Sequence, residues 1–202
     1  MKYIVELRER ILTKWMLLEL EHASSIVGKE MLAFTNVRFK KWAQLLEPLG
    51  KIYKSSIVNL KEFHDKIIIL DPKANETLSI EEAKEAILVI GGIMGNYPPK
   101  GRTYKYITSK IPSVRARNIG KHQFSIDGAI FIAKKIAEGN PLESIPFVKS
   151  IRIEIDPFHE IILPFAYPLS NGKPLIYDKL IEYLKFEIEM DEERMLQRVK
   201  QS

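Results

Sequence analysis

The chain has 202 residues, 46% hydrophobic and 28% charged, with a formal net charge of +5, a size that allows one sizeable core or one core with a small appendage. No apolar run reaches the roughly 18 to 20 residues that span a bilayer, and the start, MKYIVELRER, is too charged for a secretory signal. With no cysteine, disulfides and thiolate metal sites are excluded, so a cytoplasmic protein without a membrane partner is expected.

KYIVEL opens as a short strand, and ILTKWMLLELEHASSIVG follows as a helix ending at Gly28. MLAFTNV is a second strand, FKKWAQLLEPLG a helix and SSIVNL a further strand. KIIIL, residues 66–70, is an apolar β-branched run of the kind buried on both sheet faces. DPKANETLS is turn and cap chemistry, and Ser79 with Glu82 has capping-box spacing for a helix over EEAKEA. AILVI is a second buried strand that runs directly into VIGGIMGNYPPKGRT.

Arg102 to Lys110 is expected to form a short helix closed before Pro112, and VRARNIG is extended or looped. Ser125 caps a helix over IDGAIFIAKKIAEG, with Ala129, Ile130, Ala133, Ile136 and Ala137 on one face and Gly139 at its end. From residue 145 the pattern changes. SIRIEI alternates, DPFHE turns and IILPFAY returns, which predicts a β-hairpin. YDKLIEYLKFEIEM closes the chain as an amphipathic helix with Leu180, Ile181, Leu184 and Ile188 on one stripe.

Residues 1–144 therefore read as an α/β core with a mostly parallel sheet and helices on both faces, and 145–202 as a hairpin-and-helix appendage. Ligands of such sheets bind beyond the carboxyl ends of the strands. Three loops qualify: DPKANETLS, GGIMGNYPPKGRT and RARNIGKHQFSID.

The glycine-rich loop is not a phosphate loop. Gly95 to Gly101 is one residue too long, the lysine precedes the glycine, and two prolines remove backbone donors. Gly91, Gly92 and Gly95 also have the wrong order for a dinucleotide turn, and no acid stands about 20 positions on for a ribose. The histidines His22, His64, His122 and His159 lack ligand-like spacing, so no metal is expected. Charge is unevenly spread: residues 86–126 hold no acid, whereas the tail from Asp178 to Arg194 is acidic.

Taken together, ILDPKANETLS, VIGGIMGNYPPKGRT and RNIGKHQFSIDGAIFIAKKI resemble the SPOUT superfamily of methyltransferases. The likeness is closest to the group that includes the eukaryotic enzyme methylating an arginine of a small-subunit ribosomal protein, with archaeal members assigned to RNA methylation. It covers residues 1 to about 168, with the specific motifs in 70–134. The resemblance implies a deep trefoil knot in about 66–140 and S-adenosylmethionine bent into a slot, its adenine held largely by backbone groups.

Carried over by motif, the cofactor residues are Leu70, Asp71 and Pro72, then Gly91, Gly92, Ile93, Met94, Gly95 and Thr103, then Asn118, Ile119, Gly120, Gln123, Phe124 and Ser125. A side chain at Gly92 is expected to fill the slot without harming the fold. An arginine acceptor stays charged in water, so a carboxylate must orient it and help take its proton. Asp127, which begins the helix entering the slot, is the expected acid, with Asp71 and Glu76 nearby. An RNA acceptor would instead draw on Arg102, Arg115 and Arg117.

The resemblance implies a protein-arginine acceptor, with RNA as the alternative and a non-catalytic knotted binding protein as a third reading. The partners expected are a ribosomal protein or RNA, with stretch 100–121 against nucleic acid. SPOUT enzymes commonly dimerise through knot helices, which the C-terminal helix either extends or covers, so a monomer or a homodimer is expected.

Overall fold

The computed structural model describes residues 1–191 and 193. Strand β1 (Tyr3–Leu7) leads to helix α1 (Lys14–Val27), capped by Thr13 and stopped at Gly28, whose φ of 82° suits glycine. β2 (Leu32–Thr35), α2 (Lys40–Leu46) and β3 (Lys51–Ile52) follow. β4 (Ile67–Leu70) precedes α3 (Ile80–Glu85), which starts on the predicted Ser79–Glu82 capping box. β5 (Ile87–Gly92), α4 (Arg102–Tyr106), β6 (Arg115–Arg117) and α5 (Ile126–Ala137) complete the core.

The six strands form one sheet in the order β3-β2-β1-β5-β4-β6, and every pairing is parallel. Its centre is dry because β1 and β4 are buried at every residue. Alternation then decides which face each side chain serves. Ile68 and Leu70 point to α1, α3 and α5, beside Met16, Ala83 and Ile130. Ile67 and Ile69 point to the other face, beside Ile57, Ile107 and Ile111. Each fully buried aliphatic side chain of this kind contributes about 1.5–3 kcal/mol. Long helices cover the first face; the second is covered by α4 and short 3-10 turns.

One expected strand is absent. SSIVNL contains a 3-10 turn, Ile57–Asn59, instead. The buried Glu6 carboxylate accepts from Ile57 N at 2.9 Å and from Ser56 Oγ at 2.7 Å, and Ser56 Oγ accepts from Val58 N. These bonds satisfy backbone groups that a strand would have offered to a neighbour. The edge strand is the preceding Lys51–Ile52 pair, too short for a periodic signal.

After the core come β7 (Phe147–Val148), the hairpin β8 (Ile151–Asp156) and β9 (His159–Leu163), then β10 (Tyr167–Ser170), β11 (Lys173–Pro174) and α6 (Asp178–Phe186). The hairpin was predicted; the small β11-β10-β7 sheet was not. Ile153, Leu163, Leu180 and Leu184 pack on Leu18 of α1, so the appendage shares a small core with the main body. It also touches the third loop, where Ala166 N donates to Gln123 O at 2.9 Å. The expected acidic tail runs past the described residues at 192 and 194. No described helix is long and apolar enough to cross a membrane.

Candidate active site

Parallel pairing places the ends of β4, β5 and β6 at one edge, where their loops enclose a cavity of about 240 Å³. Leu70, Asp71 and Pro72 line it from the first loop. Gly91, Ile93, Met94, Gly95, Arg102 and Thr103 line it from the second, and Ile119, Gln123, Phe124 and Ser125 from the third. Three segments read separately along the chain thus meet around one space.

Two glycines of this wall have little room for a side chain. A methyl group added at Gly91 falls 3.1 Å from Thr103 Oγ1, and one at Gly95 collides with Gln123 Nε2 and the Phe165 ring. Ser125 caps α5 by accepting from Gly128 N at 3.3 Å, fixing the third loop at the helix start.

Five predicted site residues do not line the cavity. Gly92 faces the other way: an added methyl lands 2.8 Å from Leu7 Cδ2 and 2.9 Å from Val5 Cγ1, so this glycine allows close strand packing. Asn118 ties two loops together. Its Nδ2 donates to Ala74 O and Glu76 O at 3.0 Å, and its Oδ1 accepts from Gly120 N at 3.0 Å. Gly120 has a φ of 98° and serves the turn. Glu76 lies outside the cavity, largely exposed, with a carboxylate oxygen 3.0 Å from Arg117 Nη2.

Asp127 is buried and does not line the cavity. One carboxylate oxygen accepts from Gly128 N at 2.9 Å, and the other lies 2.7 Å from His22 Nδ1. The His22 ring stacks on Tyr177 with centroids 4.9 Å apart. Beside this pair, Glu19 accepts from Trp15 Nε1 at 2.8 Å and from Ile126 N at 3.1 Å. Burial, and then the charge of Asp127, pushes the Glu19 carboxyl up to about 8. Burial, followed by these two carboxylates, also raises the Tyr167 phenol, whose oxygen has no hydrogen-bond partner among the described residues. The group secures the start of α5, which accounts for the placement of an acid at that helix.

Asp71 is the acidic residue that lines the cavity, and it is fully engaged. Its oxygens accept from Lys73 N at 2.9 Å and Thr108 Oγ1 at 2.6 Å. Cations gather at the rim: Lys73, Lys100 and Lys121 line it, as does His122. The sequence assigned none of these to the cofactor; Lys100 and Lys121 fall in the stretch expected against nucleic acid.

Glu9 was missed as well. It follows β1, and its Oε1 accepts from Met94 N at 2.9 Å and meets Arg102 Nη2 at 2.9 Å. Arg102 Nη1 also donates to Met94 O at 3.0 Å. The only sequence signal for Glu9 was an acid just beyond a strand at the carboxyl edge.

The wall suits S-adenosylmethionine chemically. Ile90, Ile93, Met94, Ile119 and Phe124 offer apolar surface for a flat base, while the rim lysines offer charge for a carboxylate.

Comparison with known proteins gives the same direction. A family model described as Protein arginine N-methyltransferase SFM1-like matches residues 2–191. Protein arginine N-methyltransferase SFM1 of Saccharomyces cerevisiae is 28% identical, the match covering 92% of this chain and 94% of the yeast protein. The crystal structure of the yeast arginine methyltransferase SFM1 complexed with SAH superposes with a TM-score of 0.81 at 26% identity, over 91% of this chain and 94% of that one. A Trm10 structure from Thermococcus kodakaraensis, at 20% identity, shares the fold with a TM-score of 0.58 over 70% of this chain and 94% of its own. The α/β fold is thus that of the SPOUT methyltransferases, and the family match reaches into the appendage.

Proposed function

The chain belongs to the SFM1-like family of protein arginine N-methyltransferases, and from that premise we propose that it methylates the guanidinium of an arginine in a ribosomal protein. It is an S-adenosylmethionine-dependent methyltransferase, in keeping with relatives solved with SAM, SAH and MTA. The observation that carries the reading is the meeting of three loops around one cavity at the carboxyl edge, in a chain matched to the family almost end to end.

Bound S-adenosylmethionine supplies a methyl carbon activated by a sulfonium for in-line displacement. The chain supplies position and a dry wall. Gly91 and Gly95 keep side chains out of the slot; Ile93, Met94, Ile119 and Phe124 would hold the base, and Lys100 and Lys121 would offer charge to the carboxylate. Leu70, Asp71, Pro72, Thr103, Gln123 and Ser125 complete the proposed cofactor wall.

An acceptor guanidinium keeps its proton at neutral pH, so a carboxylate must align it and take a proton as the nitrogen is methylated. We assign that role to Glu9 rather than Asp127. Asp127 is enclosed by His22 and its own helix, whereas Glu9 borders the loop at Met94 and already holds one guanidinium, that of Arg102. Its Oε2 accepts no hydrogen bond from the described residues.

The test is tritiated cofactor with ribosomal subunits lacking the modification. Label that survives ribonuclease and is lost to protease is expected. Label lost to ribonuclease would make RNA the acceptor, and no label with tight cofactor binding would make the chain a binding protein.

A further inference from the structure

A second groove, of about 450 Å³, lies beside the cavity, with α4 between them: Arg102 and Thr103 line the cavity, and Tyr106 lines the groove. Four cations from separate segments converge there: Arg8 after β1, Arg38 after β2, Lys54 after β3 and Lys110 after α4. No acidic side chain lines it.

The groove is built rather than incidental. Glu6, fully buried beneath it, lies 3.0 Å from Arg8 Nε as an ion pair, and Arg8 Nη2 donates to Ser56 Oγ at 3.1 Å. Asn36, at a φ of 63°, donates to Leu7 O and accepts from Arg38 Nε at 2.8 Å, which aims Arg38 along the edge. Glu6 balances Arg8, but Arg38, Lys54 and Lys110 have no acidic partner, and the two lysine side chains make no hydrogen bond or ion pair among the described residues.

An arginine-bearing peptide is itself cationic and would be repelled here, so the groove is unsuited to the acceptor. Convergence of cations from four segments along one sheet edge fits an extended polyanion better than a single phosphate. We propose that this groove docks the phosphodiester backbone of RNA, positioning a protein–RNA particle so that its arginine reaches the neighbouring cavity. The assignment rests on the protein-arginine reading for its purpose, but RNA binding is measurable without it. Of its four cations only Lys110 lies in the acid-free run; Arg8, Arg38 and Lys54 lie far away in sequence.

The experiment is fluorescence anisotropy of the full chain with a single-stranded RNA of about 20 nucleotides at several salt concentrations, where log K against log salt should fall with a slope of about −2 to −3. Replacing Lys54 and Lys110 together by glutamate should weaken RNA binding about tenfold or more and flatten the slope. Calorimetric affinity for S-adenosylmethionine and methylation of a free arginine peptide should stay unchanged in that variant. RNA affinity and slope equal to wild type would overturn the groove, as would polyglutamate or inorganic phosphate competing as well as RNA. Loss of cofactor binding in the wild-type chain would instead strike the methyltransferase reading and leave the RNA measurement standing.

Discussion

Arg102 Nη2 stands 2.9 Å from Glu9 Oε1, joining the first residue of α4 to the segment just past β1. Between them the pair brackets Met94: Glu9 accepts from its N–H and Arg102 donates to its carbonyl. The Met94 backbone is therefore held from both sides, by Arg102 eight positions on and by Glu9 from 85 positions earlier.

Removing either member should have a different consequence. Arg102→Ala leaves the Met94 carbonyl and Glu9 without their charged donor, and S-adenosylmethionine affinity should fall about tenfold or more, since such bonds are worth about 1.5–3 kcal/mol. Glu9→Gln keeps an oxygen for Met94 N but removes the charge, so kcat should drop far more than cofactor affinity. Calorimetry and steady-state kinetics separate the two; a Glu9→Gln variant with normal kcat would remove Glu9 from the proposed proton-accepting role.

Neighbouring glycines should respond in opposite ways. An added methyl at Gly92 meets Leu7, Val5 and the Glu6 carbonyl within the sheet, so Gly92→Ala should cost about 1–3 kcal/mol of stability by overpacking. At Gly91 the methyl meets Thr103 and Ile93 at the cavity, so Gly91→Ala should chiefly lower cofactor affinity. Thermal melts paired with calorimetry decide between these placements. Intact stability in Gly92→Ala would contradict its inward orientation.

Glu19 should give the fold a pH dependence. Its folded pKa of about 8 lies above the ordinary carboxylate value, so the native state binds the proton more tightly than the unfolded chain. The associated stability is full below the unfolded carboxylate pKa, near about 4.5, and is lost as pH rises towards 8, by at most about 1.4 kcal/mol per pH unit. Glu19→Gln loses one acceptor, for Trp15 or Ile126, at every pH, but should lack that slope. Denaturant melts of both proteins between these limits check it, and parallel curves would refute it.

Much of the architecture was legible because its causes are local. The Ser79–Glu82 capping box, the Gly28 stop and the buried run at Ile67–Leu70 depend on residues within a turn or a strand. The SSIVNL segment misled because its backbone answers to Glu6, fifty positions earlier, rather than to its own β propensity. At the site, the loops were legible and the orientations were not. Asp127 and Gly92 sit on the right segments but face α1 and β1, and Glu9 joins the site through a partner 85 positions away.

By itself the sequence determined most of the core strands and helices, which edge carries the three glycine- and turn-rich loops, and which family they resemble. Periodicity, caps and motifs are properties of neighbouring residues. Tertiary structure alone decided which side chains face the cavity, that Glu9 and Arg102 bracket Met94, and that four scattered cations make one groove. Those outcomes depend on strand register and packing, which bring together residues whose separation along the chain carries no signal of their contact.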